Sequence, residues 1–311
     1  MPVKKLKKLD DLNVNDYVDI VRHIWAPIHR RRTTLGYAFH LFDHASKLGE
    51  AIRKEELNEI LLEVAELTNW LFGFVAKLND KKSDWEALFN IDVPFSDMIW
   101  AKYPWSCGHC VEREYLATEQ LPEKPLKNCV CLMDYPKVEH RVDRDTAKEA
   151  RRQFAENNKM YMPTTLGEME GMFHTIYGAN ISIWTIESIG FHLLEEVGEI
   201  GRALVDLFTL RGENQKPSST NADLCDEIAE TFSWICSLTL KLKQLFKPMD
   251  KYYGDLMKSN LIGQPNWAET IHLEWALWLK YRDTQTHLYR CPYCNQSPCI
   301  EDPDITFAWE R

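Results

Sequence analysis

The chain has 311 residues, of which 45% are hydrophobic and 12% aromatic. That supplies a core for one large or two ordinary domains and excludes a disordered chain. The net charge of −10 argues against a nucleic-acid partner but leaves room for a phosphorylated small molecule approached through a cation.

The N-terminal Met1-Pro2-Val3-Lys4-Lys5 is basic and lacks an apolar run of leader type, and no stretch reaches transmembrane length. The expected setting is the cytoplasm, with no membrane partner. The nine cysteines then read as metal ligands and core thiols rather than disulfides. Asp16 to Ala26 reads as a short helix stopped by Pro27. The basic cluster His29-Arg30-Arg31-Arg32 follows, either as solvated surface or as a phosphate contact.

Phe39 to Arg53 and the stretch around Glu63 read as the next two helices. Between residues 134 and 160 the chain carries mixed charge and a helix over Arg144 to Asn157. Met162-Pro163-Thr164-Thr165 reads as a turn and helix start. Phe191 to Leu204 then gives an apolar stripe at about 100° per residue: Leu193, Leu194, Val197, Ile200, Leu204, Leu207 and Phe208. A polar loop over residues 212–221 leads to a second stripe of Leu224, Ile228, Phe232, Ile235, Leu238 and Leu242, with Asn221 as the expected N-cap. Strand signals are few and short, so the fold class is all-α.

Glu196 and Glu199 lie to one side of the first stripe. Glu227 and Glu230 have the same offset from the second. Packing these helices gathers carboxylates that repel unless a cation sits between them. Hard oxygen ligands suit Mg²⁺ or Mn²⁺. The plain alternative is a solvated acidic face, but two pairs in phase on consecutive helices favour metal.

The chain also repeats itself. Phe39-His40-Leu41 matches Phe191-His192-Leu193, and Glu63-Val64-Ala65-Glu66 with Trp70 matches Glu227-Ile228-Ala229-Glu230 with Trp234. Trp100-Ala101-Lys102-Tyr103 matches Trp278-Leu279-Lys280-Tyr281. The reading is a duplicated helical unit, residues 1–160 and 161–311, forming an intramolecular pseudo-dimer. Where the second copy has Glu195, Glu196 and Glu199, the first has Asp43, His44 and Lys47. A lysine repels a divalent cation, so the first copy is expected to lack the metal, with Glu63 and Glu66 left without partners.

Cys107-x-x-Cys110 and Cys129-x-Cys131 form two short-spaced pairs of the kind that gives structural Zn²⁺ its tetrahedral thiolates. Cys291-x-x-Cys294 and Cys299 form a second, less complete cluster, with Glu301 or His287 as a fourth ligand. Cys225 and Cys236 read as core thiols.

The order Glu195-Glu196-x-x-Glu199, polar loop, Glu227-x-x-Glu230 resembles the MazG-like all-α nucleoside triphosphate pyrophosphatases. The resemblance covers the second half well and the first as a degenerate copy. It departs from the family at Glu230, where most members carry Asp. It implies hydrolysis of a nucleoside triphosphate to the monophosphate and pyrophosphate with Mg²⁺. Glu196, Glu199, Glu227 and Glu230 would be metal ligands, and Glu195 an accessory carboxylate acting on water. Members usually assemble from two subunits, a role two fused copies would fill, with further homo-oligomerisation open. Arg202, Lys241 and Trp184 are candidate substrate contacts, each with a plain reading as surface cation or core ring. The competing reading is a non-catalytic nucleotide-binding or zinc-stabilised scaffold.

Overall fold

Apolar stripes at helical spacing must be covered, and here helices cover one another. The computed structural model describes residues 12–80, 91, 93–126, 128–129, 144–209 and 220–246. Among these the regular elements are all helical: α1 (Val14–Ile24), α2 (Ala26–Arg31), α3 (Thr34–Arg53), α4 (Leu57–Leu78), α5 (Phe95–Lys102), α6 (Gly108–Thr118), α7 (Arg144–Asn157), α8 (Leu166–Ile183), α9 (Ile186–Thr209) and α10 (Asn221–Phe246), with a 3₁₀ turn at Lys159–Tyr161. The fold class is all-α, as the sequence implied. No described helix is long and apolar enough to cross a membrane. Residues 278–281 of the second Trp-x-Lys-Tyr match lie outside the described residues.

α3 and α4 form one antiparallel hairpin and α9 and α10 another, and α3 lies across α9. The expected stripes are the buried faces. Leu193, Ile200, Leu204, Leu224, Ile228, Phe232, Ile235, Leu238 and Leu242 are fully enclosed. Each such side chain contributes on the order of 1.5–3 kcal/mol by leaving water. Leu194, expected on the stripe, sits at its margin, 36% exposed. It faces α3, where a Cβ on Gly49 would stand 3.4 Å from its methyl. The contact is reciprocated: a Cβ on Gly201 would stand 2.4 Å from the Phe42 ring. Phe42 and Leu194, like Gly49 and Gly201, occupy matching places in the two Phe-His-Leu stretches. Each helix thus sets a bulky residue on the other's glycine, the self-complementary pattern of an isologous interface. A single apolar cluster takes side chains from both sides of residue 160, including Phe72 and Phe95 from one side and Phe173 and Phe232 from the other.

Local chemistry sets the helix ends. Asn13 and Asp16 make a reciprocal capping box on α1. Thr165 and Glu168 make another on α8, at the expected start. α7 has the expected bounds. Pro27 does not simply end a helix: α1 stops at Ile24 and Pro27 falls in the first turn of α2, where its missing N–H costs nothing. This carries His29 inward. It is 4% exposed, with Nδ1 3.0 Å from the Tyr37 hydroxyl, and its carbonyl accepts from Lys77 Nζ at 3.0 Å. Arg32 lies over the Trp70 ring, 5.1 Å from its centroid. These two members of the basic cluster are therefore engaged with the fold rather than offered as solvated charge.

The cap of α10 also differs from expectation. Thr220, not Asn221, holds the position: Asp223 N–H donates to Thr220 Oγ1 at 3.2 Å, and Thr220 N–H donates to Asp223 Oδ2 at 2.8 Å. Asn221 is the first helical residue. Thr220→Ala should cost about 1 kcal/mol in urea unfolding, and Asn221→Ala only a few tenths. The opposite ranking would return the cap to Asn221.

Candidate acidic and thiolate metal centres

α9 and α10 pack stripe to stripe, so the glutamates offset to the same side of each stripe meet. Carboxylate oxygens of Glu196, Glu199 and Glu227 all lie within 4.8 Å of one another. Glu196 Oε1 accepts from the Trp234 indole N–H at 3.3 Å. That ring is held by stacking on His192, with centroids 4.6 Å apart and planes 11° from parallel. Glu199 is paired with Arg202 at 3.0 Å. Glu227 Oε2 is buried with no hydrogen-bond partner among the described residues.

At this spacing Glu196 and Glu227 resist ionising. Burial first, then the charges of Glu230 and Glu199, push the Glu196 carboxyl up to about 8. Burial, then the charge and hydrogen bond of Glu230, push Glu227 up to about 9. Protons here stand where a hard divalent cation would fit, and the oxygen donors suit Mg²⁺ or Mn²⁺.

Glu230, expected as a fourth ligand, hydrogen-bonds Glu227 and also pairs with a buried lysine. Its Oε1 lies 2.8 Å from Lys102 Nζ and 3.5 Å from His109 Nε2. Lys102 closes α5 and is 4% exposed, and His109 stands in the first turn of α6. Burial pulls the Lys102 ammonium down, but Glu230 and Asp226 outweigh it and leave its pKa raised. Behind the pair, fully buried Arg151 of α7 binds Asp226 of α10 at 2.7 Å and Glu112 of α6 at 3.1 Å. The sequence reading missed Lys102, His109 and Arg151. The one signal was recurrence of Lys102 in the Trp-x-Lys-Tyr repeat.

The remaining candidates fall as follows. Glu195 is exposed, 3.3 Å from His192 Nδ1. Lys241 Nζ donates to the Ile181 carbonyl at 3.0 Å, satisfying the end of α8. Trp184 is half-buried, its ring 5.1 Å from that of Trp234, so it braces the ring that holds Glu196.

In the first half, the residue matching Glu196 is His44, and its Nδ1 lies 2.8 Å from Glu63 Oε2. Glu63 therefore does have a partner, contrary to expectation, because an imidazole replaces a carboxylate there. Lys47 turns outward to Asp43 at 2.7 Å. Glu66 is buried.

The thiolate centre is also partly in view. Cys107, Cys110 and Cys129 are buried, and their Sγ atoms lie within 4.8 Å of one another. Cys110 and Cys129 are 3.9 Å apart. Thiolates about 2.3 Å from one tetrahedral zinc stand about 3.8 Å apart, so the spacing fits a metal such as zinc. The backbone supports it, with Cys129 N–H donating to Ile176 O at 2.7 Å. Cys131 lies outside the described residues, as do Cys291, Cys294, Cys299, His287 and Glu301. Cys236 is a fully buried core thiol, and burial raises Cys225 to about 12.

No protein-family model, curated protein or solved structure matches this chain.

Purified protein should contain zinc by elemental analysis, and the double substitution Cys107→Ser, Cys110→Ser should lower it. Folded protein without zinc would end that assignment.

The raised carboxyls set a pH dependence. The folded chain keeps protons on Glu196 and Glu227 that the unfolded chain releases above about pH 4.5. Their contribution to stability is complete below that pH and is lost as pH rises through about 8 and 9. Without added Mg²⁺ or Mn²⁺, the melting temperature should fall from about pH 6 to 9, and Mn²⁺ should restore it most at the alkaline end. Glu227→Gln should flatten the profile. A profile unchanged by that substitution would refute the buried-acid account.

Proposed function

We propose that the chain is a divalent-cation-dependent nucleoside triphosphate pyrophosphatase of the MazG-like type, built from two helical copies fused in one chain. The convergence of Glu196, Glu199 and Glu227 from two packed helices carries this reading. One hydrophobic stripe per helix explains the packing, but it does not explain acids on the inner margin of both. The reciprocal glycine contacts between α3 and α9 support the two-copy reading. So do the matched stacks of His40 on Trp70 and His192 on Trp234, with centroids 3.9 Å and 4.6 Å apart.

Glu196, Glu199 and Glu227 would hold Mg²⁺ or Mn²⁺, which when bound neutralises phosphate charge and acidifies bound water. The chain's own work is positioning. Trp234 fixes Glu196 through the indole N–H, and the hydrophobic stripes fix the two helix axes. Arg202 stands at the rim beside Glu199, where a phosphate oxygen would gain from its charge. Glu195, exposed beside His192 and one residue before Glu196, would be the accessory carboxylate that acts on water. Zinc held by Cys107, Cys110 and Cys129, with Cys131 as the expected fourth thiolate, would be structural: it would lock the loop that starts α6 beneath the acidic centre.

The test is a panel of ribo- and deoxyribonucleoside triphosphates with Mg²⁺ and Mn²⁺, scored for pyrophosphate. At least one triphosphate should be cleaved to its monophosphate. Glu196→Gln and Glu227→Gln should each lower turnover by about a thousandfold or more with the fold intact. Glu63→Gln, in the first half, should stay within a few-fold. If no triphosphate is hydrolysed with either metal, a non-catalytic nucleotide-binding or scaffold role replaces this reading. If Glu63→Gln is as inactive as Glu227→Gln, the two halves do not divide the work as proposed.

A further inference from the structure

A buried lysine beside a cluster of carboxylates needs a reason. Lys102 is 4% exposed and its Nζ lies 2.8 Å from Glu230 Oε1. Burying an ion pair gives little net stability, and an apolar pair of the same volume would often serve the fold as well. The lysine also comes from a distant part of the chain, at the end of α5, just before the Cys107-x-x-Cys110 loop. That loop closes directly over it. A Cβ on Gly108 would stand 2.7 Å from the Lys102 carbonyl oxygen and 3.2 Å from its Cδ, so only glycine between Cys107 and His109 lets the loop pass. His109, from the same loop, approaches the same Glu230 oxygen at 3.5 Å. Asp226 adds to the field holding the ammonium, while Arg151 opposes it and is itself bound to Asp226.

We propose that Lys102 is a positioning residue of the acidic centre: its ammonium, brought in by the cysteine-bearing α5–α6 segment, pairs with Glu230 at the edge of the cluster, beside Glu227, so that Glu196, Glu199 and Glu227 grip the cation while Glu230 answers the lysine. The inference rests on reading those three carboxylates as a cation site. It gives the longer side chain at Glu230 a purpose, since it lets the carboxylate meet Lys102. It also leaves about half of an octahedral coordination shell open for water and phosphate. A tethered ammonium beside the site weakens cation binding in the free protein through like-charge repulsion. The segment that carries the thiolates therefore sets how tightly the acidic centre holds its metal.

The experiment is Mn²⁺ titration of the full, zinc-containing protein without nucleotide, read by electron paramagnetic resonance. Lys102→Met should tighten Mn²⁺ binding by about tenfold or more, because repulsion is removed and Glu230 is released to join the ligands. A lysine that served only the fold would give the opposite, since loosening the segment scatters the ligands and weakens binding. Lys102→Arg, which keeps the charge, should stay within about threefold of wild type. Glu230→Gln should also stay within about threefold, whereas Glu227→Gln should lose the site. The double variant Lys102→Met with Glu230→Gln leaves no unpaired charge at this contact. It should fold, and it should bind Mn²⁺ less tightly than Lys102→Met alone.

Unchanged or weaker binding in folded Lys102→Met overturns the proposal, as does loss of the site in Glu230→Gln. A wild type that binds no Mn²⁺ overturns it together with the cation site it rests on. If these shifts appear while no triphosphate is hydrolysed, the positioning role stands and only the pyrophosphatase reading fails.

Discussion

Carboxylates wedged between α9 and α10 are the feature to which the surrounding structure answers. Burial and mutual repulsion both oppose ionisation of Glu196 and Glu227, and the neighbours relieve a part of the clustered charge. Protons are retained on Glu196 and Glu227, whose carboxyls are raised to about 8 and 9. The Trp234 N–H solvates one oxygen of Glu196, Arg202 balances Glu199 at the rim, and Lys102 balances Glu230 at the base. None of these partners supplies two positive charges at the centre itself, which is what a divalent cation would add. The first half meets the same geometric problem differently. With His44 in place of a carboxylate, Glu63 has a direct partner and Lys47 is turned to Asp43. One helical hairpin thus carries a cluster of carboxylates and the other an imidazole–carboxylate pair.

The charge network also explains why α5, α6 and α7 pack where they do. α10 exposes Asp226 and Glu230 on the side facing these helices, and both are almost fully buried. An acid buried there without a partner would be severely destabilising. Arg151 from α7 answers Asp226, and Lys102 from α5 answers Glu230. Glu112 from α6 balances the far side of the guanidinium. Hydrogen bonds fix the same docking: Trp100 Nε1 donates to the Ala155 carbonyl at 2.7 Å, and the Tyr103 hydroxyl stands 3.2 Å from Ser233 Oγ. The segment between the hairpins is therefore part of the acidic centre's wall, and the thiolate loop shares that wall.

The parts of this arrangement legible in the sequence are those governed by local periodicity. Stripes at 3.6-residue spacing located α9, α10 and their inward margins, and composition alone located α7. The convergence of Glu196, Glu199 and Glu227 followed from phase, because two helices packed stripe to stripe bring matching offsets together. What was hidden depended on contacts far apart in sequence. Nothing local to Lys102 announces that its ammonium will meet Glu230, more than a hundred residues away. His29 looked like part of a solvated charge run because the turn placing Pro27 inside α2 is a tertiary choice. Thr220 and Asn221 are both good capping residues, and the decision between them lay in Asp223, which reaches back to the Thr220 backbone. Leu194 left the stripe because α3, a helix from the other half, covers it from the side.

That last contact keeps packing apart from charge in these helices. The α3–α9 interface is apolar and reciprocal: Leu194 against Gly49, Phe42 against Gly201. The acids lie away from it, at the margins between α3 and α4 and between α9 and α10. Packing and electrostatics are thus carried by different faces of the same helices. Changing Glu to His or Lys at a margin alters local charge and leaves the glycine–bulky contacts untouched, so the cost stays local. Filling Gly201 would push against Phe42 and strain the contact between the halves. A frame that separates its constraints in this way can carry a carboxylate cluster on one hairpin and the His44–Glu63 pair on the other.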